Sequence, residues 1–212
     1  MTKIFLVRHG QSEGNNKQIF LGHMDLGLTP LGSLQAEAVG DYLKSKNISA
    51  IYSSKLKRAM LTAAPLSEKI SVPVTASEGI MEIYAGEWEG NTYDELLEKF
   101  PKTYGVWMKD IGNSVCDGGE SIADVQKRGL AALRDICEKN DDKNIAVVSH
   151  GGCIRSMMCH FYGKPLSEMK NIPWVSNASV TVVDYDKGRF EIEKADITDH
   201  LEGLMSRLPA NI

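Results

Sequence analysis

Short apolar runs alternate along the chain with stretches of helical periodicity. Residues 3–7, Lys-Ile-Phe-Leu-Val, form a nearly unbroken apolar run, the pattern of a strand buried on both faces. Residues 144–149 have the same character, and 51–52 and 72–75 predict two shorter strands. Thr29-Pro30 signals a helix start, with threonine as cap and proline in the first turn. Leu31, Leu34, Ala38 and Tyr42 predict the apolar face of that helix. Ser53-Ser54 predicts the cap of the next helix, with Leu56, Ala59, Met60 and Ala63 on one face. Ser121 to Asp124 reads as a capping-box variant, opening a long amphipathic helix with Ile122, Val125, Leu133 and Ile136 inward. After Gly151-Gly152, apolar residues recur at Ile154, Met157, Met158 and Phe161. Two strands close the chain, at 179–185 and 189–193, with Asp186-Lys187-Gly188 as the turn between them. Phe190 and Ile192 alternate with Glu191 and Glu193, which predicts an edge position.

Residues 84–119 break this rhythm. They are rich in glycine and aromatic side chains, with brief helical patterns only around 92–100, and read as a cover or insertion. The expected fold is α/β: a three-layer sandwich with a mostly parallel central sheet and an antiparallel edge strand. One domain spans 1–212, with the cover segment at about 84–119.

Composition narrows the function. The 212 residues are 42% hydrophobic and 25% charged, with 24 basic residues against 28 acidic ones. A net charge of −4 disfavours nucleic acid or an acidic membrane as partner, because either needs a basic face. No stretch approaches the roughly 18 apolar residues of a membrane span. The first residues are charged too soon for a signal peptide, so a cytoplasmic location is expected. Cys116, Cys137, Cys153 and Cys159 show no C-x-x-C spacing and read as reduced core thiols.

One internal similarity carries chemistry. Residues 3–10, ending in Arg8-His9-Gly10, resemble residues 144–151, ending in Ser149-His150-Gly151. Both are buried strands that end in His-Gly. Ligands of open α/β sheets bind beyond the carboxyl ends of the strands, so two such strands side by side would aim two imidazoles into one crevice. A lone histidine there is most often a satisfied polar residue. A pair in matching contexts, one preceded by Arg8, reverses that reading, since an arginine at a buried strand end calls for an anion. Arg58 also lies just past a strand and could complete a guanidinium clamp. A helix starting near Gly151 adds oriented N–H groups. Together these residues suit a dianionic phosphoryl group. No metal-binding spacing, Walker A sequence, G-x-G-x-x-G or G-x-S-x-G competes, so no metal and no cofactor is expected.

The run Leu6-Val-Arg-His-Gly-Gln-Ser-Glu-Gly-Asn15 resembles the signature of the histidine phosphatase superfamily, which includes the cofactor-dependent phosphoglycerate mutases. The likeness continues, in family order, through four further parts of the chain. These are Leu21-Gly22-His23-Met24-Asp25 with Leu28 to Gly32; Ser53 to Ala59; Met81-Glu82-Ile83 with Gly86 to Gly90; and Ser149 to Gly152. The resemblance implies a phosphoglycerate mutase-like fold and assigns roles. His9 would be the nucleophile that forms a phosphohistidine. Arg8, Arg58 and His150 would hold the phosphoryl oxygens. Glu82, rather than Glu78, Glu87 or Glu89, would protonate the leaving oxygen and then activate water. Asn15, Leu21, Gly22 and Gly151 would complete the phosphate cradle, with Arg8, Arg58 and Glu82 also touching substrate.

Within the family, the glycolytic mutases carry a longer insertion and a Glu-Arg-His-Tyr-Gly sequence where this chain reads Glu82-Ile-Tyr-Ala-Gly86. The missing arginine and the short span to Gly118-Gly119 favour a phosphatase of small phosphomonoesters over a phosphoglycerate mutase. A non-catalytic binder of a phosphorylated ligand is the third reading. The expected partner is a small phosphorylated metabolite, with a homodimer left open. Trp88 and Trp107 are read as cleft walls or as packing, and Tyr84, Tyr93 and Tyr104 as candidate substrate contacts. Lys99, Lys102 and Lys109 are candidates for a second anion. His23 is read as a plain loop residue, and His160 and His200 carry no functional assignment.

Overall fold

In the computed structural model, which describes residues 1–206, the apolar run at the start becomes β1 (Thr2–Arg8) in the interior of a six-stranded sheet. Its alternation serves both faces. Ile4 and Leu6 enter one core, and Phe5 and Val7 the other. The remaining strands are β2 (Ile48–Ser54), β3 (Val74–Ser77), β4 (Asn144–Ser149), β5 (Val180–Asp186) and β6 (Arg189–Ile197). Their order is β3-β2-β4-β1-β5-β6. The pairs β3–β2, β2–β4 and β4–β1 are parallel, whereas β5 runs antiparallel to both β1 and β6. The reversed strand is therefore β5, one in from the edge. β6 takes the edge through a two-residue turn in which Lys187 and Gly188 both have positive φ. β6 runs four residues past the predicted 193, to Ile197, with register shifts along its pairing with β5.

Helices cover both faces, giving the three-layer α/β sandwich. On one side lie α2 (Pro30–Leu43) and α3 (Lys57–Ile70), and on the other α6 (Ile122–Glu138) and α7 (Gly151–Phe161). α1 (Glu13–Lys17) is a single turn closed by a Ser12–Asn15 capping box. Ser121 and Asp124 form the capping box of α6, and Thr29 caps α2 through the Gly32 N–H. Segment 84–119 folds into two short helices, α4 (Tyr93–Lys99) and α5 (Thr103–Lys109), the second lying beyond the brief patterns read at 92–100. All four cysteines are buried and unpaired. No described helix is long and apolar enough to cross a membrane.

Two sequence expectations fail for physical reasons. The buried face of α2 is Gly32, Gln35, Ala36, Val39, Gly40 and Leu43, while Leu34 is 56% exposed. Glycines set this rotation. A Cβ on Gly32 would lie 2.0 Å from the Gln11 carbonyl oxygen, and one on Gly40 3.1 Å from the Leu66 nitrogen, so the helix packs with those positions inward. Gln35 is buried because its Oε1 accepts from the Gln11 N–H and its amide donates to the Leu204 carbonyl. The second failure is the start of α3. Its N-cap is Leu56, and the Ser54 hydroxyl pairs with His150 and accepts from the Leu56 N–H, reaching no N–H inside the helix.

Candidate active site

β1 and β4 are neighbouring parallel strands with Arg8 opposite Ser149, so His9 and His150 leave the sheet side by side. Their ring centroids are 5.1 Å apart, tilted by 56°. The His9 N–H donates to the Ser149 carbonyl at 3.0 Å, tying the two strand ends together. His9 Nδ1 lies 2.7 Å from its neighbour's Gly10 carbonyl oxygen. A carbonyl only accepts, so Nδ1 carries the proton and Nε2 keeps its lone pair. Burial, then the charges of Arg58 and Arg8, hold the His9 imidazolium pKa well below the usual histidine range. His150 is lowered in the same direction, first by burial and then by Arg58. Both rings are therefore neutral at pH 7.

The two arginines come from different elements and are held by main-chain carbonyls. Arg8 donates to the Val175 carbonyl at 2.7 Å and lies over the Trp174 ring at 5.2 Å. Arg58, in the first turn of α3, donates to the Gly22 and Met24 carbonyls at 2.8 and 2.9 Å. It so fixes the loop that carries Leu21 and Gly22. Gly22 sits at φ +50°, and a side chain there would collide with Glu89 and Ala85. Burial pulls each guanidinium pKa down to about 10, which leaves both charged at neutral pH. Asn15 Oδ1 accepts from the Ser12 N–H and from Asn177 Nδ2, which leaves its own Nδ2 as the free donor.

Glu82 lies on the loop after β3. Its Oε1 accepts from the Ile83 and Cys153 N–H groups and its Oε2 from the Gly152 N–H, at 3.0–3.2 Å. The helix start at Gly151 thus turns two of its donors to Glu82. The sequence had offered those N–H groups to the ligand instead. The backbone of Glu82 is gripped as well. Arg128 of α6 donates to the Gly79, Met81 and Glu82 carbonyls and to both oxygens of Glu120, at 2.7–3.1 Å. His23 Nε2 lies 2.8 Å from the same Glu82 carbonyl, so His23 is a support of this loop and not a plain surface residue.

Arg8, His9, Asn15, Leu21, Gly22, Arg58, Glu82 and Gly151 line one cleft with about 700 Å³ of free space, counting its open mouth. His150 is fully buried next to His9 and is not among the lining residues; its Nε2 lies 2.7 Å from Ser54 Oγ. Trp107 and Tyr93 also line the cleft. Trp88 and Tyr104 are buried packing residues, and Tyr84 is largely exposed. Lys99, Lys102 and Lys109 are outside the lining, and Lys99 is spent on Asn91 and Glu95. Arg128, Trp174 and Asn177 had no sequence signal, and Ser54 was read only as a helix cap within a family-like block. Each acts on a partner at least 46 residues away. Among the described residues no group of His, Cys, Asp and Glu is arranged to hold a metal ion.

Residues 4–198 match the family model of the histidine phosphatase superfamily, branch 1. Phosphoserine phosphatase 1 of Hydrogenobacter thermophilus is 34% identical over 95% of both chains. The structure of YhfR from Bacillus stearothermophilus superposes with a TM-score of 0.91 at 29% identity, covering 95% of this chain and all of that one. A variant of the Entamoeba histolytica phosphoserine phosphatase, in complex with phosphoserine, superposes at 0.83 with 31% identity, covering 95% and 100%.

Proposed function

The chain belongs to branch 1 of the histidine phosphatase superfamily, and on that footing we propose that it hydrolyses small phosphomonoesters without a metal, through a phosphohistidine on His9. The observation that carries this reading is the state of His9: neutral, with Nδ1 locked on the Gly10 carbonyl and the ring facing a cleft with two buried guanidinium groups. An imidazole so held is an activated nucleophile. In the first step His9 Nε2 forms a bond to phosphorus as the ester P–O bond breaks, and the Glu82 carboxyl gives its proton to the departing oxygen. In the second, water attacks phosphorus, the N–P bond returns its electron pair to Nε2, and Glu82 takes the water's proton. The sum is ester plus water to alcohol plus phosphate.

Arg8, Arg58 and His150 hold the phosphoryl oxygens, where charge accumulates in both transition states. Arg8 Nε, Arg58 Nε and His150 Nδ1 are buried without a partner among the described residues. Unmade buried hydrogen bonds of this kind cost about 1–3 kcal/mol each, and an anion bound among these groups relieves that cost. Ser54 donates its hydroxyl proton to His150 Nε2, leaving Nδ1 of that ring as a donor. Asn15 Nδ2 and the Gly22 and Gly151 N–H groups complete the cradle, with Leu21 beside them.

This reading assigns one catalytic domain to the chain, with segment 84–119 as its cover, in the cytoplasm. Its partners are small phosphorylated metabolites and neither nucleic acid nor membrane; sedimentation velocity decides between monomer and homodimer. Phosphate release from p-nitrophenyl phosphate in the presence of chelator tests the activity. His9→Ala is expected to abolish it while the circular dichroism spectrum stays native. The trapped phosphoenzyme is expected to be labile in acid and stable in alkali. Isomerisation of 3-phosphoglycerate, primed by a trace of its bisphosphate, that outruns phosphate release would make the protein a mutase instead.

A further inference from the structure

We infer, building on the phosphatase reading, that the alcohol this site releases has an apolar body and carries no cationic group, so that alkyl and arylalkyl phosphates are better substrates than amino-bearing esters such as phosphoserine. Two features of the cleft beyond the phosphoryl cradle carry this. The first is its wall. Ile19 and Phe20 face it from one side, Tyr93, Trp107 and Ile111 from the cover segment, and Trp174 from the loop before β5. Five of these six are only half-buried, and Phe20, the buried one, packs edge-on against Trp107 at 5.0 Å. A concave surface of half-covered apolar side chains is what an apolar ligand body completes.

The second feature is the sign of the charges. The ionic side chains lining the cleft are Arg8, Arg58, Arg155 and Glu82. Arg155 is buried, donates to the Met169 and Ile172 carbonyls, and lies over Trp174 at 4.8 Å. The indole is therefore already engaged by two guanidinium groups, Arg8 and Arg155. Glu82, the one carboxylate, accepts from three main-chain N–H groups and is reserved for proton transfer. An ammonium group on the leaving alcohol enters among three cations with no free carboxylate to meet it. Coulomb repulsion and lost hydration both oppose it.

Four esters of primary alcohols separate these effects: ethyl phosphate, phosphoethanolamine, phenethyl phosphate and phosphoserine. Adding the phenyl ring to ethyl phosphate is expected to raise kcat/KM by about tenfold or more, the scale of filling an apolar pocket. Adding the ammonium is expected to lower kcat/KM, even though it makes the alcohol a better leaving group. In Trp107→Ala the ratio of phenethyl to ethyl phosphate is expected to fall by at least about threefold. Ile111→Ser, a smaller change in the same wall, repeats that measurement should the tryptophan variant misfold. No gain from the phenyl ring, or faster turnover of phosphoethanolamine or phosphoserine than of ethyl phosphate, overturns the inference alone. No phosphate release from any of the four, nor from p-nitrophenyl phosphate, overturns the phosphatase reading and this inference with it.

Discussion

Glu82→Gln removes the transferable proton while keeping the shape of the side chain, so it separates chemistry from architecture. In the native protein the carboxylate accepts three main-chain hydrogen bonds, two on Oε1 and one on Oε2. The glutamine Oε1 retains the bonds from Ile83 and Cys153, and its amide nitrogen meets the Gly152 N–H donor to donor. Losing one bond at this half-buried position costs about 1 kcal/mol, which for a chain of this size lowers Tm by about 2–4 °C. The kinetic loss is far larger and depends on the leaving group. Protonation of an alkoxide by a positioned acid contributes about a hundredfold to ten-thousandfold, so hydrolysis of ethyl phosphate is expected to fall by that factor. A dinitrophenolate needs no proton in order to leave. Dinitrophenyl phosphate mixed rapidly with the variant is therefore expected to give a burst of one equivalent of dinitrophenolate. A slow phase follows, because the glutamine cannot activate the water that cleaves phosphohistidine. Absence of that burst in a folded variant, or equal losses of first-step rate for both esters, would refute Glu82 as the proton donor.

A methyl group added at Gly152 would sit 2.6 Å from Glu82 Oε1, so Gly152→Ala is expected to lower kcat on alkyl esters at least about tenfold with KM little changed. Arg128→Met frees the Gly79, Met81 and Glu82 carbonyls and takes the ion pair from Glu120, which keeps the Tyr84 N–H. It is expected to cost about 1–3 kcal/mol in urea titrations and to slow alkyl esters more than dinitrophenyl phosphate in the first step. An equal slowing of the two would make Arg128 purely structural. His9 and His150 have pKa values lowered in the folded state. The unfolded chain therefore binds the extra protons, and the stability from keeping both rings neutral is present above about pH 6.5 and lost as pH falls below it. With both rings contributing, the slope approaches about 2.7 kcal/mol per pH unit, and a wild-type urea midpoint that stays flat between pH 7 and 5 contradicts it.

The sandwich was legible because its strongest signals are local. Two apolar runs ending in His-Gly mark β1 and β4, Ser121 and Asp124 mark the start of α6, and Lys187-Gly188 marks a hairpin. The rotation of α2 was not, because it is set by what Gly32 and Gly40 touch across the fold, and a glycine gives no apolar signal. α5 was hidden for another reason: Tyr104, Trp107, Met108 and Ile111 do carry helical spacing, but the helix is only seven residues long and sits in a glycine-rich segment, so the pattern is too brief to stand out. In the candidate active site, the residues proposed to meet the ligand stand in recognisable blocks. Of those that aim them, only Ser54 does, and its block gives no hint of its partner. Val175 holding Arg8, Ser54 holding His150 and Arg128 holding the Glu82 loop are matters of tertiary distance, with partners 46 to 167 positions apart.

The placement of β1 bears on how the protein is made. The strand that leads into His9 leaves the ribosome well before its neighbours β4 and β5, which begin at Asn144 and Val180. Until synthesis has passed those positions, Ile4-Phe5-Leu6-Val7 has no native edge to join and stays open to non-native association. Newborn chains should thus depend on holdase chaperones until late in translation, and a fusion partner that shields the amino end should raise soluble yield more than the same partner placed at the other terminus.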